Sequence, residues 1–155
     1  MKILDWFKRA ATTEAPADVS TIQTLPAENA TVEGLDFQAA VAAHQKWKTR
    51  LRNCIDGTSE ETLDPRVVCQ DNQCVLGKWI NGPGGARFAT SPGFAKLKST
   101  HAEFHICASE VLVSVYSGKK SLAEERLADE FSRLSIRVQK NLSQLFLEVS
   151  NENKI

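Results

Sequence analysis

The chain holds three histidines, His44, His101 and His105, and four cysteines. His101 and His105 are separated by one helical turn, a spacing that stacks two imidazoles on the same side of a helix. Two nitrogens so placed reach a single metal ion. Both fall in an apolar stripe with Phe94, Leu97, Ala108 and Leu112, so both are expected to face a core. His44 lies on a second stripe, between Ala40 and Trp47. A buried neutral imidazole needs partners for two ring nitrogens, and an apolar bundle offers few. A tetrahedral zinc ion satisfies three such rings together, with Zn–N bonds of about 2.0–2.1 Å and a Zn–S bond of about 2.3 Å. Cys74 is the best candidate for the fourth ligand. It opens the apolar segment Cys74–Ile80, in which Gly77 permits close approach and Trp79 can anchor the segment in the core. A coordinated thiol is deprotonated, and the thiolate is the form that oxidants attack. Oxidation of Cys74 would therefore weaken or remove one ligand.

Other arrangements of the same residues are open to the sequence. Cys69 stands five positions before Cys74 and could compete as a ligand in place of His44, or pair with Cys74 after oxidation as a resolving thiol. A zinc finger built on Cys69, Cys74, His101 and His105 is formally available, but the Cys74-to-His101 spacing is long and the flanking helices are too apolar. The His-Glu-x-x-His hydrolase motif is absent: Ala102 stands where its glutamate belongs, and Glu103 comes one place late. Catalytic zinc keeps an open position for water, whereas four protein ligands fill the sphere. The chain is therefore read as a non-enzyme. Cys54 and Cys107 read as small buried apolar residues.

The elements that must position these groups are helical. Asp36 is a plausible N-cap for a first long helix to about Ile55, with Phe37, Ala40, His44, Trp47, Leu51 and Ile55 on one face and Gly57 as its stop. Asp64-Pro65 has the cap-then-proline pattern of a short helix. Asn81–Gly85 is expected to break helix, with a loop to about Thr90. Ser91-Pro92 opens a second long helix, closed by Gly118. Ser121–Glu124 reads as a capping box starting a third, with Leu127, Phe131, Leu134, Val138, Leu142, Leu145 and Val149 inward. The short connection predicts antiparallel packing of these last two. No strand pattern is evident. The fold class is all-α, an antiparallel helical bundle of three long helices plus shorter helical segments. Residues 1–34 divide from this domain, which is expected to span 35–150. Met1–Ala10 reads as a short amphipathic helix, and Ala11–Gly34, with Pro16 and Pro26, as a flexible linker.

Lys plus Arg equals Asp plus Glu, and the formal net charge is zero. That argues against nucleic acid as a partner, because its recognition needs a basic footprint. No apolar run is long enough to cross a bilayer, so membrane association is not expected. Met1–Ala10 lacks a signal-peptide core and cleavage motif, and a cytoplasmic location is the default. In a reducing compartment the cysteines are thiols, ligands or redox sensors more often than disulfides.

His44-x2-Trp47-x3-Leu51, then Cys74-x-Leu76-Gly77-x-Trp79, then His101-x2-Phe104-His105 together resemble the chemoreceptor zinc-binding domain of bacteria. Motif order and spacing agree over about 35–145. The resemblance implies zinc held by His44, Cys74, His101 and His105 in a helical bundle that forms a homodimer. It also implies a sensory or regulatory role in bacterial signalling, such as chemotaxis, responding to zinc level or to thiol oxidation by hypochlorous acid, with a signalling protein as partner. No receptor signalling helix or cyclase domain accompanies the motifs, so the sequence reads as a stand-alone member or a fragment. A structural zinc site in a protein-interaction module is the alternative.

Overall fold

The computed structural model describes residues 31–152. The amphipathic helix expected over Met1–Ala10, and the part of the expected linker up to residue 30, lie outside these residues.

A small antiparallel hairpin comes first. Strands β1 (Thr31–Val32) and β2 (Leu35–Asp36) pair Val32 with Leu35. Glu33 and Gly34 both adopt positive φ, 48° and 81°, the conformation that a two-residue hairpin turn requires. This corrects the strand-free reading of the sequence. The hairpin is anchored: Val32 and Leu35 are buried, and the Trp79 indole N–H donates to the Val32 carbonyl at 3.1 Å.

Helix α1 (Phe37–Asp56) starts where Asp36 caps the Ala39 N–H and ends at left-handed Gly57. Its inward face is the expected one: Phe37, Ala40, His44, Trp47, Leu51 and Ile55. A strap of chain then leads through α2 (Pro65–Val68), capped by Asp64 as expected, to α3 (Val75–Ile80), capped by Cys74 itself. Next comes α4 (Pro83–Phe88), where a loop was expected. Pro83 occupies the first helical turn, where its missing N–H costs nothing. Gly84 lies so close under the Trp79 ring that a Cβ there would meet ring carbons at 2.5 Å. The glycines serve close packing between two short helices and do not break them.

Helix α5 (Pro92–Tyr116), capped by Ser91, is the longest single helix among the described residues. The chain reverses at Ser117–Lys119, with Gly118 at φ 72°. The return helix comprises α6 (Lys120–Arg126), a π-helical turn (Leu127–Phe131) and α7 (Ser132–Glu152). It begins at Lys120, so Ser121 does not act as a cap and the expected capping box is not formed. Gly118 makes the reversal, and helical geometry resumes one residue before Ser121.

Pairings along the long helices fix their directions. Asn141 bonds Thr100 and Arg126 pairs with Glu110, so the return helix runs against α5. Phe37 packs on Phe146 and Gln45 bonds Gln139, so it also runs against α1. Helices α1 and α5 therefore run the same way, because the strap and short helices carry the chain back between them. The core lies among these three layers, with Leu51, Leu97, Phe104, Leu112, Leu127 and Phe131 fully buried. At about 25 cal/mol per Å² of apolar surface removed from water, this shared interior is the main stabilising term. The fold is all-α apart from the hairpin.

A candidate metal centre

His44 is delivered by the middle of α1, His101 and His105 by successive turns of α5, and Cys74 by the N-cap of α3. These four residues, expected from sequence to meet, do meet. One ligand atom from each lies within 4.8 Å of every other. The Cys74 Sγ is 3.3 Å from His101 Nε2, and the two Nε2 atoms of His101 and His105 are 3.1 Å apart. Ligand nitrogens on a tetrahedral zinc stand about 3.3 Å from one another, as bonds of about 2.0–2.1 Å dictate. The cluster is of that size.

Two backbone carbonyls orient the rings. His44 Nδ1 is 2.7 Å from the Ala40 carbonyl oxygen, and His105 Nδ1 is 2.9 Å from that of Val68. A carbonyl oxygen only accepts, so each Nδ1 carries the proton and donates it. Each Nε2 then presents its lone pair to the cluster. This is the outer-shell support that metal-bound histidines ordinarily have. His44 Nε2 is buried with no hydrogen-bond partner, an arrangement costly for a polar atom unless a cation meets it. His101 Nδ1 is likewise buried without a partner.

Burial sets the protonation of the cluster. Desolvation pulls His44 down to about 4, helped by the nearby His105 and opposed by the Ala40 carbonyl. Desolvation pulls His101 down to about 2, with His105 and His44 adding to the shift. His105 is lowered chiefly by burial. The Cys74 thiol is raised by burial, while the Gly77 N–H, 3.3 Å from Sγ, works the other way. Three neutral, buried imidazoles and one half-buried thiol therefore converge, a donor set that suits zinc. Phe104 closes the site from the core side, with its ring 5.2 Å from His44 and 5.5 Å from His105.

The remaining cysteines stand apart from this cluster. Cys69 is exposed, its thiol donating to the Arg66 carbonyl at 3.3 Å. It therefore does not replace His44 in the set. Cys107 is buried, as expected of a small apolar residue, whereas Cys54 is only half-buried against the core. Glu103 is exposed on α5, turned away from the rings. The orienting carbonyls of Ala40 and Val68 were not foreseen. Backbone groups leave no side-chain signal, although the four-residue step from Ala40 to His44 permits one of the two bonds.

Residues 44–112 match the family model of the chemoreceptor zinc-binding domain. This segment is similar to chemoreceptor zinc-binding domains. It contains all four clustered residues and the strap between them, so the resemblance read from the motifs is borne out. No curated protein and no solved structure matches the chain. The chemoreceptor zinc-binding domain is a zinc-binding family, and this chain's His3Cys cluster could hold such an ion. No helix among the described residues is long and apolar enough to cross a membrane.

Proposed function

We propose that this chain is a sensory or regulatory zinc module, with His44, Cys74, His101 and His105 as the ligands. The observation that carries the reading is the convergence of the four ligand atoms within 4.8 Å in the core. Two of the rings are already fixed in the ligating tautomer by carbonyls. A bound zinc ion would supply the positive charge that keeps Cys74 as a thiolate in a setting whose burial otherwise favours the thiol. The domain spans about 35–150, acts in the cytoplasm of a bacterial cell, pairs with a second copy of itself, passes its signal to a signalling protein and catalyses no reaction.

Cys74 is the element that responds. It is the least buried of the four residues and the one open to oxidation. With hypochlorous acid, the thiolate sulfur attacks chlorine, the S–Cl bond forms and the O–Cl bond breaks, and hydroxide leaves. Water then displaces chloride to give the sulfenic acid. Cys74 caps α3, and His44 and His105 lie on different helices. Losing the sulfur ligand therefore loosens the contact between α3 and the α1–α5 pair. A change in zinc level acts on the same contact.

Elemental analysis of the purified chain tests the ligand set. Wild type is expected to hold about one zinc per chain, and Cys74→Ser and His105→Ala to lose it. A Cys74→Ser protein that binds zinc as tightly as wild type overturns the assignment. The near-complete burial of the three imidazoles, each at 2% exposure or less, favours a second reading. In that reading zinc is a permanent structural brace of an interaction module, and chelators remove it only when the chain unfolds.

A further inference from the structure

One cleft among the described residues reaches the metal cluster. It has a volume of about 330 Å³ and opens between the strap and α1, and Cys74 and His105 lie at its inner end. His44 and His101 do not line it. A second cleft, of about 290 Å³ between α5 and the return helix, touches Cys107 and none of the four cluster residues.

The wall on the α1 side is made by Trp47 and Arg50. The Arg50 guanidinium lies over the Trp47 ring, 4.0 Å from its centre. The same guanidinium binds Glu61 of the strap through two parallel bonds, Nε to Oε2 at 2.9 Å and Nη2 to Oε1 at 2.8 Å. The Trp47 ring in turn packs edge-on against His105, with centroids 6.0 Å apart. A chain of contacts thus runs from the strap, across the mouth of the cleft, to a cluster residue. Elsewhere the strap is held by the hydroxyl of the exposed Tyr116, which donates to the Leu63 carbonyl at 2.7 Å, and by buried His105, which donates to the Val68 carbonyl. Of these ties, Arg50–Glu61 is the one whose guanidinium covers a cleft-lining ring, that of Trp47.

We propose that this cleft is the route by which small reagents reach Cys74, and that the Arg50–Glu61 pair clamped over Trp47 sets how freely they pass. Arg50 is in these terms a selectivity residue for whatever attacks the thiolate or withdraws the ion; for the ion, the proposal rests on the zinc reading given above. Compact, uncharged reagents of the size of hypochlorous acid pass the closed mouth. Bulky reagents and multidentate chelators wait for the strap to swing away from Trp47. Val67, exposed on the rim of the same cleft, offers an independent handle, because a larger side chain there narrows the mouth without disturbing the clamp.

The test uses the full chain and two readouts. In the zinc-stripped protein, peptide mass spectrometry follows alkylation of Cys74 by iodoacetamide and by a bulky maleimide, with exposed Cys69 as the reference thiol in the same molecule. In the zinc-loaded protein, a colorimetric chelator follows the rate of zinc loss. Arg50→Gln and Glu61→Gln are expected to speed bulky-maleimide labelling of Cys74 relative to Cys69, and zinc loss, by about three- to tenfold, the range for losing a surface ion pair together with a ring contact. The charge-swapped pair Arg50→Glu with Glu61→Arg recovers part of the wild-type rate, and Val67→Phe slows both processes. Circular dichroism confirms that each variant is folded. If the Cys74-to-Cys69 ratio is the same in wild type, both single variants and Val67→Phe, the route is wrong even though the chain holds zinc. If the wild type holds no zinc, the ligand reading fails, and the labelling ratios still decide the route.

Discussion

The Nδ1 of His105 donates to the carbonyl of Val68, ten helical turns of sequence away yet 2.9 Å in space. One ring therefore holds the strap with one nitrogen and faces the metal cluster with the other. The geometry of the strap and the aim of that ligand are set by the same hydrogen bond, and a change at either end is felt at the other.

The buried imidazoles make the metal-free fold acid-sensitive. His44, at about 4, His101, at about 2, and His105 all have folded values below the usual 6.5, mainly through burial. The unfolded chain takes up protons at those three positions near pH 6.5, and the folded chain does not. Stability is therefore fully present above about pH 6.5 and is lost as pH falls toward 4, by up to about 1.4 kcal/mol per pH unit for each ring. Urea melts of the stripped protein at pH 7.5 and pH 5 are expected to show a lower midpoint at pH 5; an equal or higher one contradicts the sign. Zinc-loaded protein loses its ion over the same descent, since protons compete for the ligand lone pairs.

Gly77→Ala is expected to damage the site from behind. A Cβ at Gly77 would stand 1.6 Å from the Asp71 carbonyl oxygen and 2.7 Å from its carbon. The turn leading into Cys74 must move, taking the thiol with it. The cost in stability is about 2 kcal/mol, within the usual range for overpacking, and zinc affinity falls alongside. Isothermal titration with zinc and a thermal melt give the two numbers, and an alanine variant with wild-type values for both would refute this account of the glycine.

Trp79→Phe removes the indole N–H that reaches the Val32 carbonyl while leaving a ring against Phe37, Phe88 and Phe94. The loss is about 1 kcal/mol, and it falls on the hairpin. Amide exchange at Val32 to Asp36 is expected to quicken, with α5 unaffected. Uniform quickening through the bundle would show that the ring matters and the hydrogen bond does not.

Phe104 joins the metal cluster to the return helix, since its ring also packs on Phe131 of the π-helical turn at 4.9 Å. Phe104→Ala empties a fully buried site and is expected to cost about 3–5 kcal/mol. Phe104→Leu keeps most of the volume and costs less, yet removes the phenyl ring that packs on His44 and His105. Zinc affinity measured on the leucine variant separates the two roles: a normal value means that Phe104 only fills space.

Local signals in the sequence were read correctly where the chemistry was local. Asp36, Asp64-Pro65, Ser91-Pro92 and Gly57 each act through their own or adjacent backbone groups, and all four occupy the expected cap or turn positions. The same holds for the inward stripe of α1 and the rings of His101 and His105. What was missed depends on distant neighbours. Pro83–Phe88 is helical because Gly84 and Gly85 allow close approach to Trp79 and Ile80, which no window of sequence shows. The π-helical turn at Leu127–Phe131 leaves the apolar spacing looking continuous. The hairpin rests on two positive-φ residues, Glu33 and Gly34, inside a stretch whose composition suggests a linker. Cys74, from a separate stretch of chain, meets the histidines because a short apolar segment with a glycine and a tryptophan docks where expected.

Tyr116 and His105 sit on the same rigid α5, eleven residues apart, or about 16 Å along the axis at about 1.5 Å per residue. Each grips a backbone carbonyl of the segment running from Leu63 to Val68. That segment is thus measured against a ruler that does not stretch. Surface connections usually accept added or deleted residues with little penalty, but here a single residue gained or lost between the two grips would leave one carbonyl out of reach. The length of an ordinary-looking stretch of chain is thereby fixed as firmly as the identity of any ligand.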